Sequence, residues 1–464
     1  MINKILEKNK SLCEDIVNEL LVNYEYVSLL GVASKGIRVR VDNKNISLSD
    51  SDTEYGYVIK VYNNGSISEY SFNELNPRLL PKIIYEVRKT VGSNAPYKKV
   101  ALNPIIDQKI EREFTRTDSG LLSENEIIER LTEIKNRALS YDEKIINAVA
   151  VFNKIEVAKI FISKHKNLSQ SYTWSNALFI AVAKDENNNI KMARKSTEDY
   201  SSEKALDKML KEVNKTADIA IKLLKAKPIV PGEYDVITDP SITGLIAHEA
   251  FGHGVEMDMF VKNRAKGKDY IGQYVASPLI SMHDGATSAD SVASYFFDDD
   301  GVLAHDTLII NEGKLQTGIS DMLSALELGT IPTGNGRRES YLRKAYSRMT
   351  NTYFSKGESK LDDMIKSIKH GYYLCDTNNG MEDPKNWQIQ CTAEYGLEIV
   401  DGKFTGNIVS PVVISGYVPD VLKSISMVSD SFEISGAGYC GKGHKEWVRV
   451  SDGGPHLKAR VKLG

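Results

Sequence analysis

The clearest helical pattern in the chain lies at residues 203–226, and it is closed by three breakers. Leu206, Met209, Leu210, Val213, Ala217, Ala220, Ile221 and Leu224 recur at three- and four-residue steps, the stripe of an amphipathic helix. Pro228, Pro231 and Gly232 follow it directly. Proline cannot continue a helix and glycine leaves one cheaply, so the pattern is cut here. A chain of 464 residues exceeds one ordinary core. The cut divides it into a domain at 1–230 and a second at 231–464.

Before the cut, two periods alternate. Residues 3–23 place Ile5, Leu12, Ile16, Leu20 and Leu21 on a helical stripe. Residues 25–72 alternate with a period of two, and Asn64-Gly65 between alternating runs signals a hairpin. Helices are predicted near 75–91 and at 123–140, the second opened by Ser123 with Glu126 three residues on. Residues 144–200 return to strands, with a turn at Asp185–Asn189. After the cut, the strand EYDVITD leads into a helix capped by Asp239, with Pro240 at its first position and Ile242, Leu245 and Ile246 toward the core. Beyond residue 256 strands and hairpins prevail, with turns at Asn311–Gly313 and Asp401-Gly402 and one helix near 361–370. The expected class is α+β: N-terminal helices on an antiparallel sheet, then a β-rich C-terminal domain.

Net charge is −3 and the pI is about 6.3, which argues against direct nucleic-acid binding. No window reaches the roughly 18–20 apolar residues of a membrane span, and charges interrupt the first apolar positions, so neither a span nor a signal peptide is expected. A cytoplasmic location follows as the default. Cys13, Cys375, Cys391 and Cys440 form no CxxC pair. They read as small buried hydrophobes rather than a disulfide framework, except where surroundings argue otherwise.

The segment with the most chemistry is HEAFGH at 248–253. Two imidazoles and the carboxylate of Glu249 can hold a zinc ion and a general base. On an ideal helix, five residues turn through about 500°, leaving His248 and His253 some 140° apart. Gly252 and Gly254 flank His253, so the helix can bulge or end there and bring His253 back. The bland reading is a helix end with surface histidines.

A third ligand is sought in a glycine-lined turn. GAGYCGKGH at 436–444 supplies Cys440, with His444 as an alternative. The same segment matches GxGxxG, but too little chain follows for a dinucleotide-binding unit. Glu256, three residues after His253, is either a partner fixing its tautomer or a surface carboxylate. Arg337 and Arg338 in GNGRRES either cradle a substrate carboxylate or pin a buried turn through Glu339. FDDDG at 297–301 lacks the alternating ligands of a calcium loop and reads as a polar turn. His283, His305, His370 and His456 are assigned no chemistry.

HEAFGHGVEMD at 248–258, PTGNGRRESY at 332–341, RMTNTY at 348–353, ISMVSD at 425–430 and YCGKG at 439–443 resemble, in order and spacing, the motifs of the TldD/PmbA family of zinc metallopeptidases, and of its TldD-like subunits. The resemblance implies zinc held by His248, His253 and Cys440, with Glu249 as the catalytic base. It implies hydrolysis of unfolded or extended peptides by a metal-activated water. It also implies a dimer, with a PmbA-like partner or a second copy, in which the N-terminal domain is scaffold, dimer surface and cavity wall. The alternatives are a non-catalytic PmbA-like partner subunit and a zinc hydrolase of another substrate class. The family was once described as modulating DNA gyrase; near-neutral charge makes any such effect indirect. One departure is the tail at 444–464, longer and more basic than the family's short glycine-and-proline tail.

Overall fold

Strand alternation in the first half gives its sheet two different faces. In the computed structural model, which describes residues 2–93, 99–443 and 446–464, the strands are β1 (Tyr26–Val41), β2 (Ile46–Asn63), β3 (Ser66–Phe72), β4 (Ile110–Arg116), β5 (Ile145–Ser163), β6 (Lys166–Lys184) and β7 (Ile190–Asp199). They pair in the order β3–β2–β1–β5–β6–β4, with β7 also on β6. The sheet is antiparallel except for β4, which adds parallel to β6. The Asn64-Gly65 hairpin is present, with φ of 50° and 87°, the left-handed conformations its tight turn requires.

The helices are α1 (Asn3–Leu21), α2 (Leu80–Ser93), α3 (Glu124–Leu139) and α4 (Ser202–Leu223). The Ser123–Glu126 capping box forms as expected. α2 begins later than predicted because Pro77 holds Asn76 out of helical geometry, and Asn76 instead accepts the Arg78 N–H. On β1, Val27 and Leu29 pack with Leu6, Ile16 and Val87 of α1 and α2. Val39 and Val41, on the same face, pack with Leu131 and Met209 of α3 and α4. Leu30 and Val32 point the other way, where Phe161 and Leu168 meet Phe297 of the second half. One sheet face is thus covered by helices and the other by the C-terminal half.

The FDDDG turn is the clasp between the two. Asp298, Asp299 and Asp300 are all buried. Asp299 holds Lys159 of β5 and accepts the Arg338 N–H at 2.8 Å. Asp300 holds Lys60 of β2 and accepts the Met322 N–H at 2.9 Å. Asp298 forms no ion pair among the described residues; it accepts the N–H groups of Gly336 at 2.8 Å and Val302 at 2.9 Å. Burial, reinforced by Asp300, pushes its carboxyl well above the usual range. The polar turn read from sequence is therefore a buried one, with Asp299 and Asp300 paired across the interface.

The second half contains β8 (Gly232–Thr238), β9 (Met282–Asp284), β10 (Thr307–Asn311), β11 (Lys314–Leu315), β12 (Gly336–Arg337), β13 (Tyr346–Ser347), β14 (Asn351–Phe354), β15 (His370–Asp383), β16 (Gln388–Val400), β17 (Lys403–Val409), β18 (Val412–Tyr417), β19 (Met427–Val428), β20 (Glu433–Lys442), β21 (Glu446–Gly454) and β22 (Leu457–Leu463). One sheet runs β11–β10–β9–β14–β21–β20, leaving β20 at its edge. In the other, β15 pairs both β8 and β16, so the path β8–β22–β18–β16–β15 returns to β8 and closes. The divergent tail is no appendage: it supplies β21 and β22, and β22 lies between β8 and β18.

Asp239 caps α5 (Pro240–Leu245) through the Ile242 N–H, with Pro240 in the first turn. Ile242, Ile246, Ala247, Ala250 and Phe251 of this helix and its continuation share one core with Val236, Leu374, Cys391, Ile414 and Val461 of the closed sheet. That burial fixes the helical segment that carries the histidines.

Candidate metal centre

Past Leu245 the helix widens. Residues Ile246–Gly252 form a π-helix, and His253–Val255 a single tighter turn. The His253 N–H bonds the His248 carbonyl, five residues back. An i→i+5 bond widens the turn, so side chains five residues apart stand on one face. The 140° divergence of an ideal helix is thereby removed, and the two rings lie 5.2 Å apart, edge to face.

The glycines act differently from the sequence expectation. Gly252 keeps helical geometry, at φ −58° and ψ −48°. It is needed for space: a Cβ there would lie 2.1 Å from Met349 Sδ. Likewise a Cβ at Gly380 on β15 would lie 2.5 Å from Glu249 Cγ, so that glycine seats the carboxylate.

Cys440 enters from β20, opposite Val448 of β21. Its Sγ is 3.5 Å from His253 Nε2. Candidate donor atoms of His248, His253 and Cys440 all lie within 4.8 Å of one another. His248 is 4% exposed, which rules out the surface-histidine reading. Glu249 Oε2 is 3.9 Å from His253 Nε2, and its side chain is 21% exposed. His444 lies outside the described residues.

The electrostatics of the three follow from their proximity. Burial disfavours the thiolate, but His253 and His248 outweigh it and hold Cys440 well below its ordinary value. Burial likewise disfavours imidazolium. The thiolate overcomes this at both rings, lifting His248 to about 9 and, with Glu256, raising His253 well above its ordinary value.

A supporting shell surrounds the triad. Glu256 is 1% exposed, and its Oε2 is 3.0 Å from His253 Nδ1. Lys442 donates to Glu256 at 3.0 Å, Asp258 at 2.6 Å and the Ser347 carbonyl at 3.0 Å. Burial opposes the Glu256 carboxylate, yet Lys442 and His253 hold it down to about 2. Arg348, fully buried, donates to the Cys440 carbonyl at 2.5 Å and the Glu446 carbonyl at 3.1 Å. Lys442 and Arg348 stand inside the YCGKG and RMTNTY motifs, but a lone cation in a motif does not reveal which carbonyl or carboxylate it meets.

The GNGRRES arginines are committed within the chain. Arg337 donates to the carbonyls of Met349 and Arg449, both at 2.6 Å. Arg338 donates to Glu69 at 3.1 Å and the Arg343 carbonyl at 2.7 Å. Glu339 accepts the Trp447 N–H at 2.9 Å. The turn is pinned mainly by Glu69 of the N-terminal half, a partner 269 residues away. Both arginines also line a cavity of about 580 Å³ between the halves, walled by Trp174, Tyr439 and Trp447. A second cavity of about 440 Å³ lies beside α5 and is lined by Ser241, Thr377, Gly438 and Asp452.

Known proteins resemble this chain in sequence and in fold. A family model described as the PmbA/TldA metallopeptidase C-terminal domain matches residues 231–462. A metalloprotease of Methanocaldococcus jannaschii is 30% identical over 433 residues, covering 90% of this chain and 94% of that protein. A zinc metalloprotease TldD homolog of Saccharolobus solfataricus is 32% identical over 252 residues, 53% of this chain and 54% of that one. In fold, the chain is similar to the crystal structure of TldE from Thermococcus kodakarensis, with a TM-score of 0.74 at 18% identity over 97% of this chain and 99% of that one.

Proposed function

The chain belongs to the PmbA/TldD metallopeptidase family, and from that premise we propose that it is a zinc-dependent peptidase acting on unfolded or extended peptides. The observation that carries the reading is the convergence of His248, His253 and Cys440 beside Glu249.

The donor set fits zinc. A tetrahedral ion with ordinary Zn–N and Zn–S bonds separates those two donors by about 3.5 Å, the distance between His253 Nε2 and Cys440 Sγ. His248 Nδ1 is buried without a partner, a nitrogen for which a ligand or a protein acceptor must account. His248, His253 and Cys440 would hold the metal through one atom each. The zinc metalloprotease of S. solfataricus supports that choice of ion. Bound zinc supplies Lewis acidity to a water and to the scissile carbonyl.

The chain's own groups do the rest. Glu249, seated by Gly380, takes the proton of the attacking water and returns it to the leaving amine. Glu256 accepts from His253 Nδ1, fixing the tautomer that leaves Nε2 free for the metal. Lys442 keeps Glu256 ionised for that task. Arg348 anchors the strand that delivers the cysteine. Arg337 and Arg338 brace the wall between the halves and touch substrate only there.

Substrate preference follows from the surroundings. β20 ends its sheet, and an extended peptide held through main-chain bonds beside such an edge needs no particular side chain. The unit at 1–230 supplies the opposite wall. The family resemblance carries the expectation of a dimer, with a PmbA-like subunit or a second copy. No helix among the described residues is long and apolar enough to cross a membrane, and a cytoplasmic site of action suits an enzyme of unfolded chains. The rival non-catalytic subunit leaves the assembled triad and Glu249 without a role.

Glu249→Gln tests the reading. Zinc content should stay unchanged while peptide hydrolysis falls by about two to four orders of magnitude; equal turnover overturns the assignment.

A further inference from the structure

Three of the elements that line the cavity of about 440 Å³ also carry parts of the candidate metal centre. Ser241 lines it from α5, and His248 follows two turns later on the same helical segment. Gly438 lines it from β20, two residues before Cys440 on the same strand face. Thr377 lines it from β15, three residues before the Gly380 that seats Glu249. These three elements of the cleft each carry one part of the centre a few residues further along the chain.

Asp452 sits in this cleft. On β21 it shares a face with Val450 and Val448, and Val448 is opposite Cys440. Its carboxylate lies against α5 where there is no side chain: a Cβ at Gly244 would be 2.6 Å from Asp452 Oδ1. Gly244 is four residues, about one helical turn, before His248.

Among the described residues no hydrogen bond or ion pair holds this carboxylate, and the attraction it feels comes through space from buried His248. The cleft's own cations are spent elsewhere. Arg194 pairs with Glu394 at 3.2 Å and donates to the carbonyls of Thr377 and Asn378. Lys195 faces Asp376 at 3.8 Å. Burial lifts the Asp452 carboxyl to about 6, with His248 opposing the rise. A half-buried anion without a partner, facing open volume, is costly unless something brought into that volume neutralises it.

We propose that Asp452 binds a cationic nitrogen of the substrate, an α-ammonium or a lysine side chain, and so sets which peptides the cleft presents to the metal centre. The inference rests on the peptidase reading above and adds a charge preference to it. An ammonium seated there would lie beside Gly244, which is about one helical turn before His248 on the same segment.

The test is a fluorescence-anisotropy titration of zinc-loaded, full-length protein. Three labelled peptides of one sequence are compared: a neutral N-acetylated form, a free-amino form, and an acetylated form with lysine in place of norleucine. Wild type should bind one of the charged forms about ten-fold tighter than the neutral one, the lower end of what a charge-assisted hydrogen bond provides. The form that gains identifies the source of the nitrogen. Asp452→Asn should bring the ratio near one with zinc content kept.

Should that variant fail to fold, Ser241→Lys puts a tethered ammonium within a lysine's reach of Asp452 and should abolish the preference in the same way. No binding, equal binding of all three peptides by wild type, or a ratio unchanged in the variants overturns the inference. Zinc loss in Asp452→Asn also overturns it, making Asp452 a support for His248. Charge-selective binding without cleavage would leave the inference standing and sink the peptidase reading; cleavage without selectivity would do the reverse.

Discussion

The His253 N–H donates to the carbonyl of His248, and that one bond across five residues turns a spacing unfit for an α-helix into a pair of convergent imidazoles. The widened turn is kept in place by packing. Gly252 lies against Met349 so closely that a Cβ would come within 2.1 Å of the sulfur. Gly252→Ala should therefore cost about 1–3 kcal/mol, the usual range for overpacking a core, and lower zinc occupancy. Combined with Met349→Ala, it should cost less than the sum of the two single changes, read by thermal unfolding and metal analysis. Independent, additive effects would show that the contact does not support the turn.

Arg348 and Cys440 give a second test. The guanidinium is the buried partner of the Cys440 and Glu446 carbonyls. Arg348→Met would leave those carbonyls unpaired, at about 1–3 kcal/mol each. The expected result is a destabilised protein with weaker zinc binding in chelator competition. Unaltered zinc affinity would mean that Cys440 is positioned without this anchor.

Glu256→Gln keeps the shape of the contact to His253 Nδ1 but removes the charge that Lys442 balances. Supporting carboxylates of this kind are worth about 10–100-fold in metal affinity. A loss in that range is expected, with the fold intact by circular dichroism. No change in affinity would place Glu256 outside the support of the centre.

The interface between the halves makes a pH prediction. Glu69 meets Lys60 at 3.2 Å and Arg338 at 3.1 Å. Burial opposes its ionisation, but the two cations hold it down to about 2. An unfolded glutamate titrates at about 4.3, so the folded state binds the proton less readily. Its stabilising contribution is present above about pH 4.3 and is lost as the pH falls through 2. Glu69→Gln should lower stability at pH 7 by about 2–3 kcal/mol and flatten the decline between pH 5 and 2. Parallel acid limbs in denaturant titrations would contradict this.

How much of this was legible follows from which features are local. The Ser123–Glu126 box, the Asp239 cap and the Asn64-Gly65 turn each bond within a few residues, so the sequence alone places them. HEAFGH and the glycine-lined cysteine were visible as chemistry for the same reason. A bulge that brings His253 back was also expected from the glycine-flanked spacing; what holds that bulge in place was not. Backbone propensity does not announce a π-helix; packing against Met349 and the closed sheet imposes it. Asp300 finds Lys60 across 240 residues, and Arg338 finds Glu69 across 269. The tail read as a departure becomes an interior strand because β8 offers it a free edge. Asp452 in that tail resembles any surface acid until Gly244 is seen beneath it.

The central claim is that three side chains from two distant segments hold one metal ion. Elemental analysis of purified wild type beside Cys440→Ala tests it most directly. The account expects near one zinc per chain, lost when the thiolate is removed. Zinc retained without Cys440, or none bound by wild type after supply of metal and a partner subunit, would contradict it.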